Sequence, residues 1–395
     1  MKVSKIKRII FLTEYPINKW DYDRLGIETL QSNGFGVEIW DLTPFLRPKA
    51  YLEIKIKESV DFKNLSVFFY KKEISTRLKE LDASCFIICL LPYSLETVWI
   101  FRLISKYRIP YGVIIANAIP FSVRDGRRNI FKKLFKELPK LRLHNLFTRA
   151  FAYLPYGLLG VSPASVILAG GEKSLLSLRY PFSLQRTRII WVHALDYDIY
   201  LKENNPAGKK DTVVFLDENL PFHTDYLYLK IKPFSSAQDY YPALCRFFSV
   251  VEQKTGSKVI IAAHPRSNYQ SQPDYFEGRE VVKGRTAQLV RDSRFVIAHV
   301  STAINYAVLF KKPVVFVATD SINLSFIGQW LRLFSSALNK NIINLSGQYS
   351  FDPEKELTID QDKYSQYRND FIKKDGSENI LFWELFSKSL NCPQL

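Results

Sequence analysis

The segment RFVIAHVSTAINYAVLFKKPVVFV, residues 294–317, decides the fold. It begins with a short apolar run, turns sharply at Ser301 and Thr302, continues with apolar residues at helical spacing, and ends in a second apolar run. A strand, a helix and a second strand in this order form a unit whose two strands are parallel. The segment therefore predicts an α/β fold with a parallel sheet.

The same alternation runs through all 395 residues, which are too many for one ordinary hydrophobic core. Short apolar runs typical of strands recur in both halves of the chain: KRIIFLTE, FGVEIWDL, DASCFIICLL, YGVIIAN, SVILAG and TRIIWVHA, then TVVFLDE, KVIIAAHP, RFVIAHV and PVVFVATD. The polar stretch LKENNPAGKKD at 201–211 is typical of a linker. We predict two Rossmann-like domains facing across a cleft, at 1–203 and 212–375, and a helix within 376–395 that packs back at the domain junction.

The composition favours anionic partners. Lys and Arg number 55 against 39 Asp and Glu, which gives a formal net charge of +16. Such an excess suits nucleic acid, an acidic membrane surface or phosphorylated substrates. The sequence contains no nucleic-acid-binding motif, so we expect no nucleic acid partner. The 4 cysteines show neither a disulfide framework nor the spacing of a metal site, which suits a reducing cytosol.

Two segments of the sequence are candidates for contact with a membrane. Residues 150–171 carry no charge, but Pro155, Pro163 and several glycines interrupt them, so we expect a buried loop followed by the strand SVILAG. Residues 127–150 are rich in Lys and Arg, with apolar residues at helical spacing. That pattern fits either a helix on an anionic membrane surface or a surface helix docked on the core. We expect a cytoplasmic protein, with 127–150 as the candidate contact with the inner face of the membrane.

The stretch IIAAHPRS, residues 260–267, places polar side chains at a strand end. Pro265 has no backbone N–H and cannot continue a central ladder, and it forces His264 into an extended conformation. His264 and Arg266 therefore lie where ligands bind in open α/β sheets. We predict that all three residues contribute to a ligand-binding site.

The turn in 294–317 is the second half of that predicted site. Ser301 or Thr302 can cap the following helix, and the free N–H groups of a helix start suit a phosphate. Asn305, one turn into the helix, faces either the same ligand or solvent. Capping alone also explains a Ser-Thr pair, so both interpretations stay open here.

A third polar strand end lies in VVFLDENLPFHTDY, residues 213–226. Asp217 or Glu218 is a candidate general base, because an ionised carboxylate can take a proton from a sugar hydroxyl. The alternative is a solvated acidic pair or a cap. His223 is a candidate for proton transfer or for holding a leaving phosphate, and the sequence does not rank the three.

In the first half, Asn117, His193 and Asp196 follow strands and are candidates for binding the acceptor or the donor sugar, or else for capping loops. The sequence has no G-x-G-x-x-G, Walker A, H-E-x-x-H or G-x-S-x-G pattern. It also lacks an acidic D-x-D triplet at a cleft-facing strand end. We therefore expect no cofactor and no metal.

Three short motifs carry a family resemblance: Asp217-Glu218-Asn219, His264-Pro265 and Ser301-Thr302. In their order and strand-end placement the chain resembles bacterial GT-B glycosyltransferases that use CMP-activated acidic sugars, the sialyltransferase-like, Kdo-transferase-like and pseudaminic-acid-transferase-like enzymes. The resemblance implies a GT-B fold, a CMP site at the His-Pro and Ser-Thr motifs, and a catalytic carboxylate in the acidic motif. The family often has Gly where this chain has Asn219.

Residues 294–317 are also similar to CDP-glycerol glycerophosphotransferases of teichoic-acid synthesis. The leading hypothesis is a metal-independent glycosyltransferase that moves a nonulosonic-type sugar (sialic, pseudaminic or legionaminic acid, or Kdo) from CMP to a bacterial surface glycan of lipopolysaccharide or capsule, free or lipid-linked. The alternatives are a glycerophosphotransferase and a non-enzymatic membrane-associated scaffold.

Overall fold

The computed structural model describes residues 6–53, 62–120, 151, 154–203, 211–223, 226 and 231–390. The basic segment 127–150 and most of the predicted linker lie outside the described residues. The chain divides into two compact units. Unit 1 comprises Met1–Ala116, Ser122–His193 and Gly376–Leu395, and unit 2 comprises Asn117–Phe121 and Ala194–Asp375.

Unit 1 is built on a seven-stranded parallel sheet in the order β3-β2-β1-β4-β5-β6-β7. Its strands are β1 (Arg8–Thr13), β2 (Gly36–Asp41), β3 (Leu65–Val67), β4 (Cys85–Cys89), β5 (Tyr111–Ile115), β6 (Val166–Ala169) and β7 (Arg188–Trp191). The α-helices described in this unit are Lys19–Arg24, Ile27–Ser32, Thr43–Leu46, Pro48–Glu53, Lys71–Lys79, Val98–Lys106 and Phe382–Leu390. Cys85 and Cys89 on β4 are buried core residues.

The last helix, Phe382–Leu390, belongs to unit 1 although it follows unit 2 along the chain. The Trp383 ring lies 5.4 Å from that of Phe11 on β1, and its Nε1 donates to the carbonyl of Arg24 at 2.8 Å. Gly26 has a φ of 57°, and a side chain there would collide with the Trp383 ring. The C-terminal helix is therefore part of the core of unit 1.

Unit 2 is built on a six-stranded parallel sheet in the order β10-β9-β8-β11-β12-β13. Its strands are β8 (Thr212–Leu216), β9 (Lys258–Ala263), β10 (Val281–Lys283), β11 (Phe295–Ala298), β12 (Val314–Ala318) and β13 (Ile342–Asn344). The α-helices described here are Leu195–Glu203, Ala237–Thr255, Thr286–Asp292, Ile304–Leu309, Asp320–Leu324, Phe326–Ala337, Pro353–Glu356 and Gln361–Tyr367.

The two sheets share one topology. In each, the first strand lies in the middle, the next two extend to one side, and the fourth returns to pair with the other side of the first. This is the strand order of doubly wound nucleotide-binding folds, in which ligands bind beyond the carboxyl ends of the strands where the order reverses. The prediction of two Rossmann-like α/β units is confirmed. In unit 2 the order reverses between β8 and β11, and in unit 1 between β1 and β4.

The boundary between the two units lies between His193 and Ala194, before the predicted domain end at residue 203. The helix Leu195–Glu203 packs on unit 2, because the Glu203 carboxylate accepts hydrogen bonds from Arg291 at 3.1 Å and from Gln288 at 2.6 Å. A sequence pattern indicates that a helix is present, but it does not indicate which of the two sheets the helix packs against.

No helix among the described residues is both long and apolar enough to cross a bilayer. Within the uncharged segment 150–171, the strand is present as β6, but the preceding loop is not buried as predicted. Leu154 and Leu158 are 48% and 82% exposed there.

Candidate functional site

Asp217 lies directly after β8 and is almost completely buried, with 4% of its surface exposed. Its Oδ1 accepts a hydrogen bond from the backbone N–H of Asn219 at 2.8 Å. Its Oδ2 accepts from the backbone N–H of His264 at 3.2 Å and from the hydroxyl of Tyr269 at 2.9 Å. Burial raises the pKa of Asp217 to about 6, although these hydrogen bonds oppose the shift. Both carboxylate oxygens are therefore engaged by protein donors.

The residues that follow Asp217 form a tight turn. Asn219 has a φ of 50° and a ψ of 37°, in the left-handed region, and the 3₁₀ turn Leu220–Phe222 comes next. Glycine enters this region without cost, and Asn is among the few other residues that tolerate it. The backbone conformation at this position therefore suits Asn or Gly. The half-buried Glu218 lies between these two anchored residues.

His264 lies at the end of β9, half-buried, while the next two residues, Pro265 and Arg266, are exposed. Its Nδ1 accepts a hydrogen bond from the backbone N–H of Arg266 at 3.2 Å. A neutral imidazole with an accepting Nδ1 carries its proton on Nε2, so Nε2 is the donor of this ring. The pKa of His264 is lowered to about 3. Burial is the main cause, and the charges of His223, Arg266 and Lys283 lower the pKa further. At neutral pH, His264 is therefore an uncharged N–H donor in cationic surroundings.

His223 joins this group from the β8 side. Its ring centroid lies 4.9 Å from that of His264, in an edge-to-face arrangement. The structure therefore brings the loops after β8 and β9 together, and with them Asp217, His223 and His264.

The Ser301-Thr302 turn differs from the prediction. The helix spans only Ile304–Leu309 and its N-terminal cap is Ala303, so neither hydroxyl caps it. The Ser301 hydroxyl accepts from the Ala303 N–H at 3.2 Å, and Thr302 is exposed. Residues 301–306 make hydrogen bonds three residues apart, which delays the start of the α-helix. The turn does lie beyond β11, at the point where the strand order reverses.

Asn305 and Asp196 contact each other in the interior of unit 2. The Asn305 Nδ2 donates to the Asp196 carboxylate at 3.1 Å, and its Oδ1 accepts from the Tyr367 hydroxyl at 3.3 Å. The other Asp196 oxygen accepts from Tyr306 at 3.4 Å. In this structure the two residues join three helices, and a ligand contact for either stays a prediction.

Asn117 and His193 also contact protein groups. The Asn117 Oδ1 accepts from the backbone N–H of Leu195 at 3.0 Å and so covers the start of the helix Leu195–Glu203. His193 is fully buried, with its Nε2 2.9 Å from the carbonyl oxygen of Ile380 and its ring beside Phe382. Of the two candidate roles for Asn117, sugar binding and capping, this contact corresponds to capping.

Sequence reasoning missed two groups near strand ends in unit 2. His299, directly after β11, is fully buried between the Val317 carbonyl at 2.6 Å and the Tyr240 hydroxyl at 2.9 Å. Burial lowers its pKa to about 4, so it acts as a neutral link between sheet and helix. Tyr269, which bonds Asp217, lies in the 3₁₀ turn Tyr269–Ser271. The position of His299 in RFVIAHV was a usable signal, whereas nothing in the sequence points to Tyr269.

Glu14 was also missed, although it follows β1 where the strand order of unit 1 reverses. Its carboxylate lies 3.0 Å from the guanidinium of Arg47, which also pairs with Glu96. Burial raises the pKa of Glu14, Arg47 lowers it and Glu96 raises it further. The strand run KRIIFLTE ends on this residue, and that ending was the available signal.

Among the residues that the structure describes, no three His, Cys, Asp or Glu side chains are grouped in a way that could hold a metal ion.

No family model matches the chain, and no curated protein matches it in sequence. Solved structures with a similar course of the chain include S. aureus MnaA in complex with UDP, at 13% identity and a TM-score of 0.46, with 98% of each chain covered. A kitacinnamycin glycotransferase matches at 10% identity and a TM-score of 0.48, covering 98% of this chain and 99% of its own. MurG from Acinetobacter baumannii matches at 10% identity and a TM-score of 0.40, covering 97% and 94%.

Proposed function

We propose that the chain is a glycosyltransferase that moves a nonulosonic-type acidic sugar from CMP to a glycan acceptor of the bacterial surface. In this proposal unit 2 binds the nucleotide beyond the carboxyl ends of β8, β9 and β11, and unit 1 binds the acceptor. The strand order of unit 2 and the three motifs at these strand ends support it.

One observation carries the proposal: the His264 ring is an uncharged N–H donor in positively charged surroundings. Its Nδ1 is occupied by the Arg266 N–H, which leaves Nε2–H as the ring's donor. Arg266 and Lys283 contribute positive charge around the ring. A neutral donor beside two cations at a strand end suits the phosphate of a nucleotide, which accepts hydrogen bonds and carries negative charge.

In the proposed reaction, an acceptor hydroxyl forms a bond to the anomeric carbon. The bond from that carbon to the CMP phosphate oxygen breaks, and its electron pair leaves with the phosphate. The Nε2–H of His264 and the nearby cations stabilise the charge that develops there. If the configuration inverts, Glu218 accepts the hydroxyl proton, because both oxygens of Asp217 are already engaged.

The nucleotide is tested by thermal shift with CMP, CDP, UMP and UDP. We expect CMP to raise the melting temperature of the wild type and to raise that of His264→Ala much less. Cytosine and uracil differ at one exocyclic group, so the uridine nucleotides report base selectivity. Absence of a shift with every cytidine nucleotide would remove this function.

The transferred group is tested by CMP release. We expect release from a CMP-activated acidic sugar in the presence of a glycan acceptor. Release from CDP-glycerol alone would instead support a glycerophosphotransferase, and binding to anionic vesicles without any turnover would support a scaffold. The proposed membrane contact of 127–150 is tested separately, by measuring vesicle binding after Lys132, Lys133 and Lys136 are changed to Glu.

A further inference from the structure

The Asp217 side chain extends the pairing of β8 with β9 beyond the last strand residues. The two strands pair in parallel up to Leu216 and Ala262, and the Asp217 N–H donates to the Ala262 carbonyl at 3.1 Å. The next N–H on the β9 side, that of His264, donates to the Asp217 carboxylate. Because Pro265 has no N–H, the His264 N–H is the last one available there for this pairing.

The same carboxylate holds the other loop. Its Oδ1 accepts from the Asn219 N–H, which lies one residue beyond Glu218. One buried side chain therefore fixes the backbone on both sides of Glu218 and also the backbone of His264.

Tyr269 anchors this carboxylate to a rigid aromatic group. Its hydroxyl donates to Asp217 and lies 3.1 Å from the hydroxyl of Tyr241. The Tyr241 ring in turn stacks on Tyr275, with centroids 4.3 Å apart and an interplanar angle of 10°. Motion of the Asp217 side chain would therefore disturb packed aromatic rings, which favours a single orientation of the carboxylate.

We propose that Asp217 is a positioning residue of the nucleotide site, which sets the backbone of His264 and of Glu218 and leaves contact with the nucleotide to His264. This inference rests on the proposed function. It assigns Asp217 a role other than that of a base, because the residue is only 4% exposed and its carboxylate accepts three hydrogen bonds from the protein.

A double-mutant cycle on the affinity for CMP tests the inference. Asn at position 217 keeps one acceptor oxygen and adds an amide donor, so it cannot accept from both the Asn219 and the His264 N–H. Loss of one such charge-assisted bond predicts that Asp217→Asn weakens CMP binding by ~10-fold. If the effect acts through His264, the same substitution changes affinity little in a His264→Ala background.

The matched control is Asp274→Asn, also in unit 2. The Asp274 carboxylate likewise accepts two backbone N–H groups, from Phe276 at 3.0 Å and Gly278 at 2.6 Å, but it is exposed and lies further along the connection between β9 and β10. We expect this control to leave CMP affinity unchanged. If Asp217→Asn does not fold, Tyr269→Phe, which removes only the hydroxyl bond to the carboxylate, takes its place in the cycle.

The possible outcomes separate the two proposals. The positioning role would be overturned if Asp217→Asn lowered CMP affinity equally with and without the His264 side chain, or did not lower it at all. If the wild type bound no cytidine nucleotide, the proposed function would fail instead. Amide hydrogen exchange would then still test the positioning, because the His264 N–H must exchange faster in Asp217→Asn than in the wild type, and an unchanged rate would overturn it.

Discussion

The rings of His223 and His264 lie 4.9 Å apart at an interplanar angle of 62° and link the loops that follow β8 and β9. The charge of His223 lowers the pKa of His264, after the larger effect of burial. We predict that His223→Ala raises the pKa of His264 from about 3, because a neighbouring cation is lost. NMR titration of the ring signal, assigned with His264→Ala, measures it. A pKa that stays the same or falls would contradict the prediction.

Glu218 is the proposed general base, and Gln is its matched replacement because it keeps the shape and removes the charge. We predict that Glu218→Gln lowers kcat by ~100-fold or more and leaves CMP affinity unchanged, since general-base catalysis contributes on that scale. Steady-state kinetics and CMP titration measure the two effects. Full activity in this variant would exclude Glu218 as the base, and parallel loss of affinity would indicate a structural role.

The buried Asp217 gives the stability of the protein a pH dependence. Its pKa is about 6 in the folded chain, against an ordinary value of 3.8, so the folded state holds this proton over a range in which the unfolded state has lost it. The contribution of Asp217 to stability therefore falls as pH rises from about 4 to about 6, by ~3 kcal/mol. We predict that the melting temperature of the wild type, relative to Asp217→Asn, declines over this range.

The comparison is made between the two proteins at each pH, so that the titration of all other groups cancels. A difference in melting temperature that is constant between pH 4 and pH 7 would show that Asp217 titrates normally.

The left-handed backbone of Asn219 predicts a simple order of stabilities. Its φ of 50° suits Gly and Asn but is strained for other residues. We expect Asn219→Gly to change stability little and Asn219→Ala to lower it by ~1 kcal/mol. Thermal unfolding of the two variants tests the order. Equal stability of the Gly and Ala variants would mean that the turn relaxes.

Glu14 offers a test of electrostatics in unit 1 that is independent of function. Arg47 lowers the pKa of this carboxyl and Glu96 raises it. We therefore predict opposite shifts: Arg47→Met raises the pKa of Glu14, and Glu96→Gln lowers it. Carboxyl ¹³C NMR titration, with Glu14→Gln for assignment, measures both. Shifts of the same sign in the two variants would contradict this account.

Parts of the site follow from local rules. Pro265 ends β9 wherever the strand lies in the fold, and Asp217 and His264 were placed at strand ends from apolar runs alone. The roles of Asn305, Asp196 and His193 did not follow, because their partners, such as Tyr367 and Ile380, lie far away in the sequence. A local pattern shows that a residue is polar and follows a strand. It does not show whether a group distant in the sequence already makes a hydrogen bond to that residue.

The sequence by itself determined two α/β units with parallel sheets, because the alternation of short apolar runs and helical periodicity is a local property of the chain. Only the tertiary structure decided that the C-terminal helix completes unit 1, that the helix after Ser301-Thr302 starts late, and that Asp217 faces His264 and Tyr269 rather than solvent. The physical reason is that hydrogen bonds and burial depend on which strands become neighbours, and β8 meets β9 only after the long helix Ala237–Thr255 has crossed between them.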